Sequence, residues 1–234
     1  MRQDAREKVE SLNIKDYKIV QSDALYKFTS DAVVLSRFAP DGAATIADLC
    51  AGIGIVVLHY YALHDDVVKK VTCVEIQKPL ADMCFKSVAL NGLEDVFTVA
   101  CQPLQTFAPK EKYDLVLCNP PYEKAGAGIL PKDEHIAVCR TELTVTLDEV
   151  TACASRLLKR GGVFCICHKV SRLSEVFLAF DKYGLCPSRL QLVGGKSGGA
   201  YLALVEGVKG KKVEMRAYNT VINDFTDFSG DKKG

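Results

Sequence analysis

The stretch from Ala44 to Leu63 limits the possible folds more than any other. Ala44-Thr-Ile-Ala-Asp48-Leu49-Cys50 is an apolar run rich in β formers, it breaks at Gly52-Ile-Gly54, and a helical pattern resumes from Val56 to Leu63. Strand, glycine turn and helix in that order predict the opening half of a parallel β–α–β unit. Glycine lets a ligand approach the main chain closely, and the first turn of the next helix presents unpaired N–H groups. A second strand, 70–75, ends on Glu75, roughly 20 residues beyond the glycines. A carboxylate there can accept both hydroxyls of a ribose.

The alternation continues. A helix over 79–90 stops at Asn91-Gly92, and strands follow over 97–101 and 113–118. Thr146-Leu-Asp-Glu149 is a capping box opening a helix expected to run to Lys159, before Gly161-Gly162. A strand over 163–167, a helix over 173–182 and two strands over 190–193 and 200–205 complete the pattern. The short linker between the last two makes them antiparallel neighbours. The prediction is an α/β chain: a doubly wound, seven-stranded, mostly parallel sheet with one antiparallel strand.

Upstream, residues 1–13 read as a short helix or frayed terminus, and Tyr17–Phe28 as a hairpin broken at Gln21-Ser22-Asp23. Phe28-Thr29-Ser30-Asp31 then opens a helix, with Thr29 or Ser30 as N-cap and Asp31 in the first turn. Residues 1–43 are thus expected to form a lid element, 44–208 the core, and 209–234 a loosely packed polar tail with a basic Lys-Gly-Lys-Lys, all in one domain.

Composition removes several classes of function. The formal charge is +1, so nucleic acid would be met by a local patch rather than a global field. No apolar run approaches the roughly 18 residues of a membrane span, and the charged start MRQDAREKVE is unlike a signal peptide. Ten cysteines without a CxxC pair, several in apolar runs, read as reduced thiols of a cytoplasmic protein. Four dispersed histidines lack metal-ligand spacing, so no metal is expected.

The chemistry concentrates in Asp114-Leu-Val-Leu-Cys118-Asn119-Pro120-Pro121-Tyr122, a buried strand that stops at two prolines. A residue before proline is pushed out of the helical region, so Asn119 is extended past the strand end. Its amide and the Pro120 carbonyl are then free acceptors, and Tyr122 follows as an aromatic plate. Two fixed acceptors beside a flat ring suit a planar substrate carrying an NH2 group, such as adenine. The bland reading is a strand ending in a tight turn. Asp48, Gly52, Glu75 and Asn119 all fall at strand C-termini, where ligands of such sheets bind.

The third glycine of a dinucleotide fingerprint is missing, with Val57 in its place. Asp48-x-Cys-Ala-Gly52-x-Gly54 followed by Asn-Pro-Pro-Tyr instead resembles the class I methyltransferases that use S-adenosylmethionine to methylate planar amino groups. Gln21, Tyr26, Phe28-Thr29-x-Asp31-Ala32, Arg140-x-Glu142 and TLDEV…RLLKRGG narrow the resemblance to one bacterial family, the tRNA adenine-N6 methyltransferases acting beside the anticodon of a valine tRNA. It spans about Tyr17 to Val208. The resemblance implies catalytic roles for Asn119, Pro120 and Tyr122. It implies cofactor contacts from Thr29, Asp31, Asp48, Gly52, Gly54, Glu75, Ile76, Leu104 and Asn119, and tRNA or another RNA as partner. Thr29 and Asp31 read equally as helix caps, and Arg140 and Glu142 as a surface ion pair.

The chain departs from that family where an acid after strand three usually holds the cofactor's adenine. Pro103 stands there, leaving backbone such as the Leu104 N–H. Thr141 also replaces a usual His. Other Asn-Pro-Pro-Tyr enzymes methylate ribosomal guanine, release-factor glutamine or DNA adenine. The last two are expected to carry added domains for which this chain has no room. A non-catalytic scaffold of the same fold is the alternative from a different class. Candidate RNA contacts are Lys124, Lys132, Lys169, Arg172, Lys196 and the basic tail.

Overall fold

The structure, a computed structural model, describes residues 7–22, 30–123, 142–195 and 198–222. Ten strands and five α-helices follow in order: β1 (Glu7–Ser11), β2 (Lys18–Ser22), α1 (Ser30–Phe38), β3 (Thr45–Leu49), α2 (Ile55–His64), β4 (Lys70–Glu75), α3 (Lys78–Leu90), β5 (Phe97–Cys101), β6 (Tyr113–Cys118), α4 (Leu147–Leu157), β7 (Leu158–Lys169), α5 (Leu173–Lys182), β8 (Leu185–Gly194), β9 (Ala200–Lys209) and β10 (Arg216–Ile222). Eight strands form one sheet in the order β10-β8-β9-β7-β6-β3-β4-β5. Only β9 runs antiparallel to its neighbours, pairing with β7 and β8.

Alternation divides the core into two layers. Ile46, Leu115, Cys165 and Cys167 pack with residues of α1, α2 and α3. Ala47, Leu49, Val116 and Phe164 pack with α4 and α5 on the other face. Parallel strands covered on both faces read as continuous apolar runs, which is why β3, β4 and β6 were recognisable.

Four expectations need correction. The N-terminal residues form a strand, not a helix, and β2 pairs with β1 rather than with residues 23–28, which lie outside the described residues. The reason lies on α3. Asn91 bonds both the N–H and the carbonyl of Lys18 (2.9 and 2.7 Å), and Ser87 Oγ takes the Val20 N–H (2.9 Å). With one edge of β2 held by the helix, β1 satisfies the other.

Second, the capping box at Thr146 and Glu149 is present, but α4 ends at Leu157 and not at Lys159. Lysines close its open end: Lys112 Nζ donates to the Arg156 carbonyl (2.7 Å) and Lys209 Nζ to that of Ser155. Third, the last two strands are longer than predicted, 185–194 and 200–209. Fourth, the polar tail contains β10, a parallel eighth strand on β8. Every β10 residue is exposed, so main-chain pairing rather than a buried face makes the strand, and hydrophobic periodicity could not reveal it.

Candidate active site

All the parallel strands end at one edge of the sheet, and a cleft of about 880 Å³ opens there. The turn after β3 forms its floor. φ is positive at Cys50 (54°), Gly52 (57°) and Gly54 (84°) and negative at Ala51 and Ile53, so the chain alternates handedness. Such alternation curls successive N–H groups toward one point. A Cβ on Gly52 would meet nothing within 4 Å, whereas one on Gly54 would lie 2.7 Å from Cys84 Sγ. Gly52 therefore bares main chain to the cleft, and Gly54 lets α2 pack on α3.

Glu75 fixes the second wall. Its Oε2 accepts the Gly52 N–H and its Oε1 the Gln77 N–H, both at 2.8 Å. Burial pushes its carboxyl pKa up, and the N–H groups of Gln77, Gly52 and Ile76 pull it back. Each oxygen keeps a lone pair for a diol. Ile76 presents an apolar side chain, 40 % exposed, to the same cleft. Leu104 lines it too, and the Leu104 N–H makes no hydrogen bond among the described residues.

Asp48 is elsewhere. It is fully buried beneath the turn, does not line the cleft, and neither carboxyl oxygen has a hydrogen-bond partner. Burial raises its pKa well above the carboxylate range, the nearby Val57 N–H pulls against that, and the Glu75 charge adds to it. It stands under the turn as a buried acid.

The third wall is the β6 corner. Asn119 and Pro121 line the cleft, Pro120 is buried, and Tyr122 folds back over Asn119. Tyr122 Oη donates to Asn119 Oδ1 at 2.6 Å, and Cys167 Sγ, from the end of β7, reaches the same oxygen at 3.1 Å. Tyr122 Oη also approaches Asp31 Oδ2 at 3.4 Å, and Tyr201 Oη approaches Asp31 Oδ1 at 3.4 Å. Asp31 thus ties the start of α1 to the corner and does not itself line the cleft. Burial raises its pKa, partly offset by the two hydroxyls.

Arg172 anchors the corner from behind. Its guanidinium donates to the Tyr122 carbonyl (3.1 Å), to Glu142 (2.8 Å) and to Glu175 (2.9 Å). It is 8 % exposed and therefore no RNA contact, contrary to expectation. Lys169 pairs with Glu123. Lys209 and Lys211 lie against Ser155 and Gly161, at the opposite end of the sheet from the cleft. Tyr26, Phe28, Thr29, Lys124, Lys132, Arg140, Thr141 and Lys196, with most of the loop after Tyr122, lie outside the described residues. Glu142 pairs with Arg172.

The sequence reading missed Cys167, Arg172 as an anchor, and Tyr201. Cys167 ends a core strand and could have been found by asking which β7 residues reach the carboxyl edge. Tyr201 carried no such signal.

This arrangement is shared by solved proteins. The chain superposes on a predicted O-methyltransferase from Agrobacterium tumefaciens over 86 % of its length and 92 % of that chain (TM-score 0.62, 20 % identity). It also superposes on Methanocaldococcus jannaschii TYW2, solved with AdoMet, over 88 % of its length and 87 % of that chain (TM-score 0.60, 13 % identity). The fold is that of the class I methyltransferases. Residues 22–172 match the methyltransferase small domain model, and the chain belongs to that family. It is 27 % identical over 158 residues to a tRNA1(Val) (adenine(37)-N6)-methyltransferase of Cronobacter sakazakii, 65 % of this chain and 62 % of that one. It is 26 % identical over 188 residues to the protein of that name from Bacteroides thetaiotaomicron, 79 % and 77 % of the two chains.

The family brings its methyl donor, S-adenosylmethionine. The residues present fit it: Gly52 offers bare main chain, Glu75 lone pairs for a ribose, Ile76 an apolar face and Leu104 an unused N–H.

Proposed function

We propose that this chain methylates the exocyclic N6 amine of an adenine in tRNA, in the cytoplasm. The observation that carries the reading is the position of Asn119, an amide acceptor on the rim of the cleft that holds Gly52 and Glu75. The names of its relatives support the substrate.

An aromatic amine is a poor nucleophile because its lone pair is delocalised into the ring. Asn119 Oδ1 and the Pro120 carbonyl would accept its two N–H bonds and draw the nitrogen toward tetrahedral geometry, aiming the lone pair across the cleft. The cofactor supplies an already activated methyl group, so the protein's task is positioning with oriented dipoles. Tyr122 would stack on the base, a contact worth about 1–3 kcal/mol. That offsets much of the few kcal/mol needed to unstack it. Arg172, on the Tyr122 carbonyl, keeps the plate at a fixed height.

Total tRNA incubated with the full chain and cofactor labelled at the methyl group, then digested to nucleosides, tests this. Labelled N6-methyladenosine is expected. N2-methylguanosine, or label in protein, would redirect the activity to ribosomal guanine or to glutamine. Calorimetry without cofactor binding would leave a scaffold.

A further inference from the structure

The wall of the cleft beyond β5 carries a polar pair that the methyl-transfer chemistry does not use. Gln105 lines the cleft beside Leu104, Thr144 and Val145. Its Nε2 donates to the Thr144 carbonyl (3.0 Å) and to Glu149 Oε1 (3.1 Å). Both of those atoms are acceptors only, so the NH2 end of the carboxamide must face them and both its protons are used. Gln105 Oε1 is thereby left as an acceptor with no partner among the described residues.

The arrangement is fixed from both ends. Glu149 is immobilised by the capping box, accepting from the Thr146 N–H at 2.8 Å and the Thr146 hydroxyl at 2.9 Å. The Leu104 carbonyl is held by Arg156 Nη2 (3.3 Å) and Cys153 Sγ (3.4 Å), which orients the preceding peptide. One free N–H and one free C=O thus stand on adjacent residues, with Ile76 and Val145 as apolar walls. Adenine has the complementary edge, a ring-nitrogen acceptor beside an amine donor.

We propose that Gln105 Oε1 accepts the exocyclic amine of the cofactor's adenine, with the Leu104 N–H donating to the neighbouring ring nitrogen. Gln105 thereby takes the place of the side-chain acceptor that Pro103 cannot provide. This rests on the cofactor and is independent of which molecule receives the methyl group.

The test uses the full chain and two ligands, S-adenosylhomocysteine and its 6-deamino purine analogue, measured by titration calorimetry. The wild type is expected to prefer the amino form about tenfold, the scale of one hydrogen bond. Gln105→Leu is expected to bind the two ligands within about twofold of each other. A general loosening of the wall weakens both ligands alike, so a Gln105→Leu variant that keeps the tenfold preference overturns the assignment. So does a wild type that does not discriminate. A wild type binding neither ligand overturns it together with the cofactor itself, a result distinct from the other two.

Discussion

The two halves of the cleft are built from different kinds of hydrogen bond. On the cofactor side, a carboxylate grips main-chain N–H groups, Glu75 on Gly52 and Gln77, and those bonds can persist when a ligand arrives. On the acceptor side, side chains hold one another: Tyr122 and Cys167 both occupy Asn119 Oδ1, the atom proposed to receive the substrate amine. The first half is preorganised. The second is closed on itself, and a base entering it must displace the Tyr122 hydroxyl from the asparagine.

The largest expected effect breaks the acceptor half alone. Asn119→Ala should lower single-turnover methylation of tRNA about a thousandfold, the upper range for losing one preorganised polar group. Cofactor affinity, read by calorimetry, should change little. Equal loss of both would make Asn119 a cofactor or folding residue.

Acid compares the halves next, because each buries one neutral imidazole. His59, under the glycine turn on α2, meets Ser36 Oγ at 2.7 Å, and His168, beside Tyr122, accepts the Lys169 N–H at 2.9 Å. Burial pulls each pKa from 6.5 down to about 4, helped at His59 by the Arg37 charge and at His168 by that of Arg172. A lowered folded-state pKa means that the unfolded chain binds the proton first. The stability is therefore whole above pH 6.5 and drains away as pH falls toward 4, on the order of 3 kcal/mol for each histidine. Urea melts at pH 7 and pH 4.5 check this. His59→Gln and His168→Gln should each flatten the pH dependence by a similar share, and a variant that leaves it unchanged would acquit its histidine.

The same contrast explains what could be read from the chain beforehand. The cofactor half depends on local signals: glycines in a turn, an acid closing a strand, apolar runs buried on both faces. Its strands at 70–75, 97–101 and 113–118 match the predicted bounds to the residue. The acceptor half depends on residues brought together from Asp31, Tyr122, Cys167, Arg172 and Tyr201, a span in which no residue specifies its partner. Arg172 looked like a surface cation because an isolated arginine in a sequence shows charge and not burial. Asp48 looked like a ligand contact because a strand-end acid shows position and not which face it takes. β10 escaped because an edge strand exposed on both faces has no period to detect.

Glu75→Ala should weaken cofactor binding by about 1.5–3 kcal/mol, the scale of hydrogen bonds to a charged group. Because Glu75 also holds the Gly52 N–H, the loss should appear with an altered Gly52 amide resonance in the cofactor-free protein. Unchanged affinity would remove this acid from the ribose.

The smallest effect sharpens the comparison most. Tyr122→Phe keeps the aromatic plate but removes the hydroxyl that occupies Asn119 Oδ1. If that bond is only a place-holder, stacking survives, the amide is released for the incoming amine, and KM for tRNA should fall about two- to fivefold, the worth of a modest neutral hydrogen bond. The turnover rate should stay within about threefold, since the bond is absent once the base is seated. If the hydroxyl instead sets the amide's orientation for the reaction, turnover falls and KM does not. The split between the two constants therefore decides whether the acceptor half is merely closed at rest or is oriented by the contact that closes it.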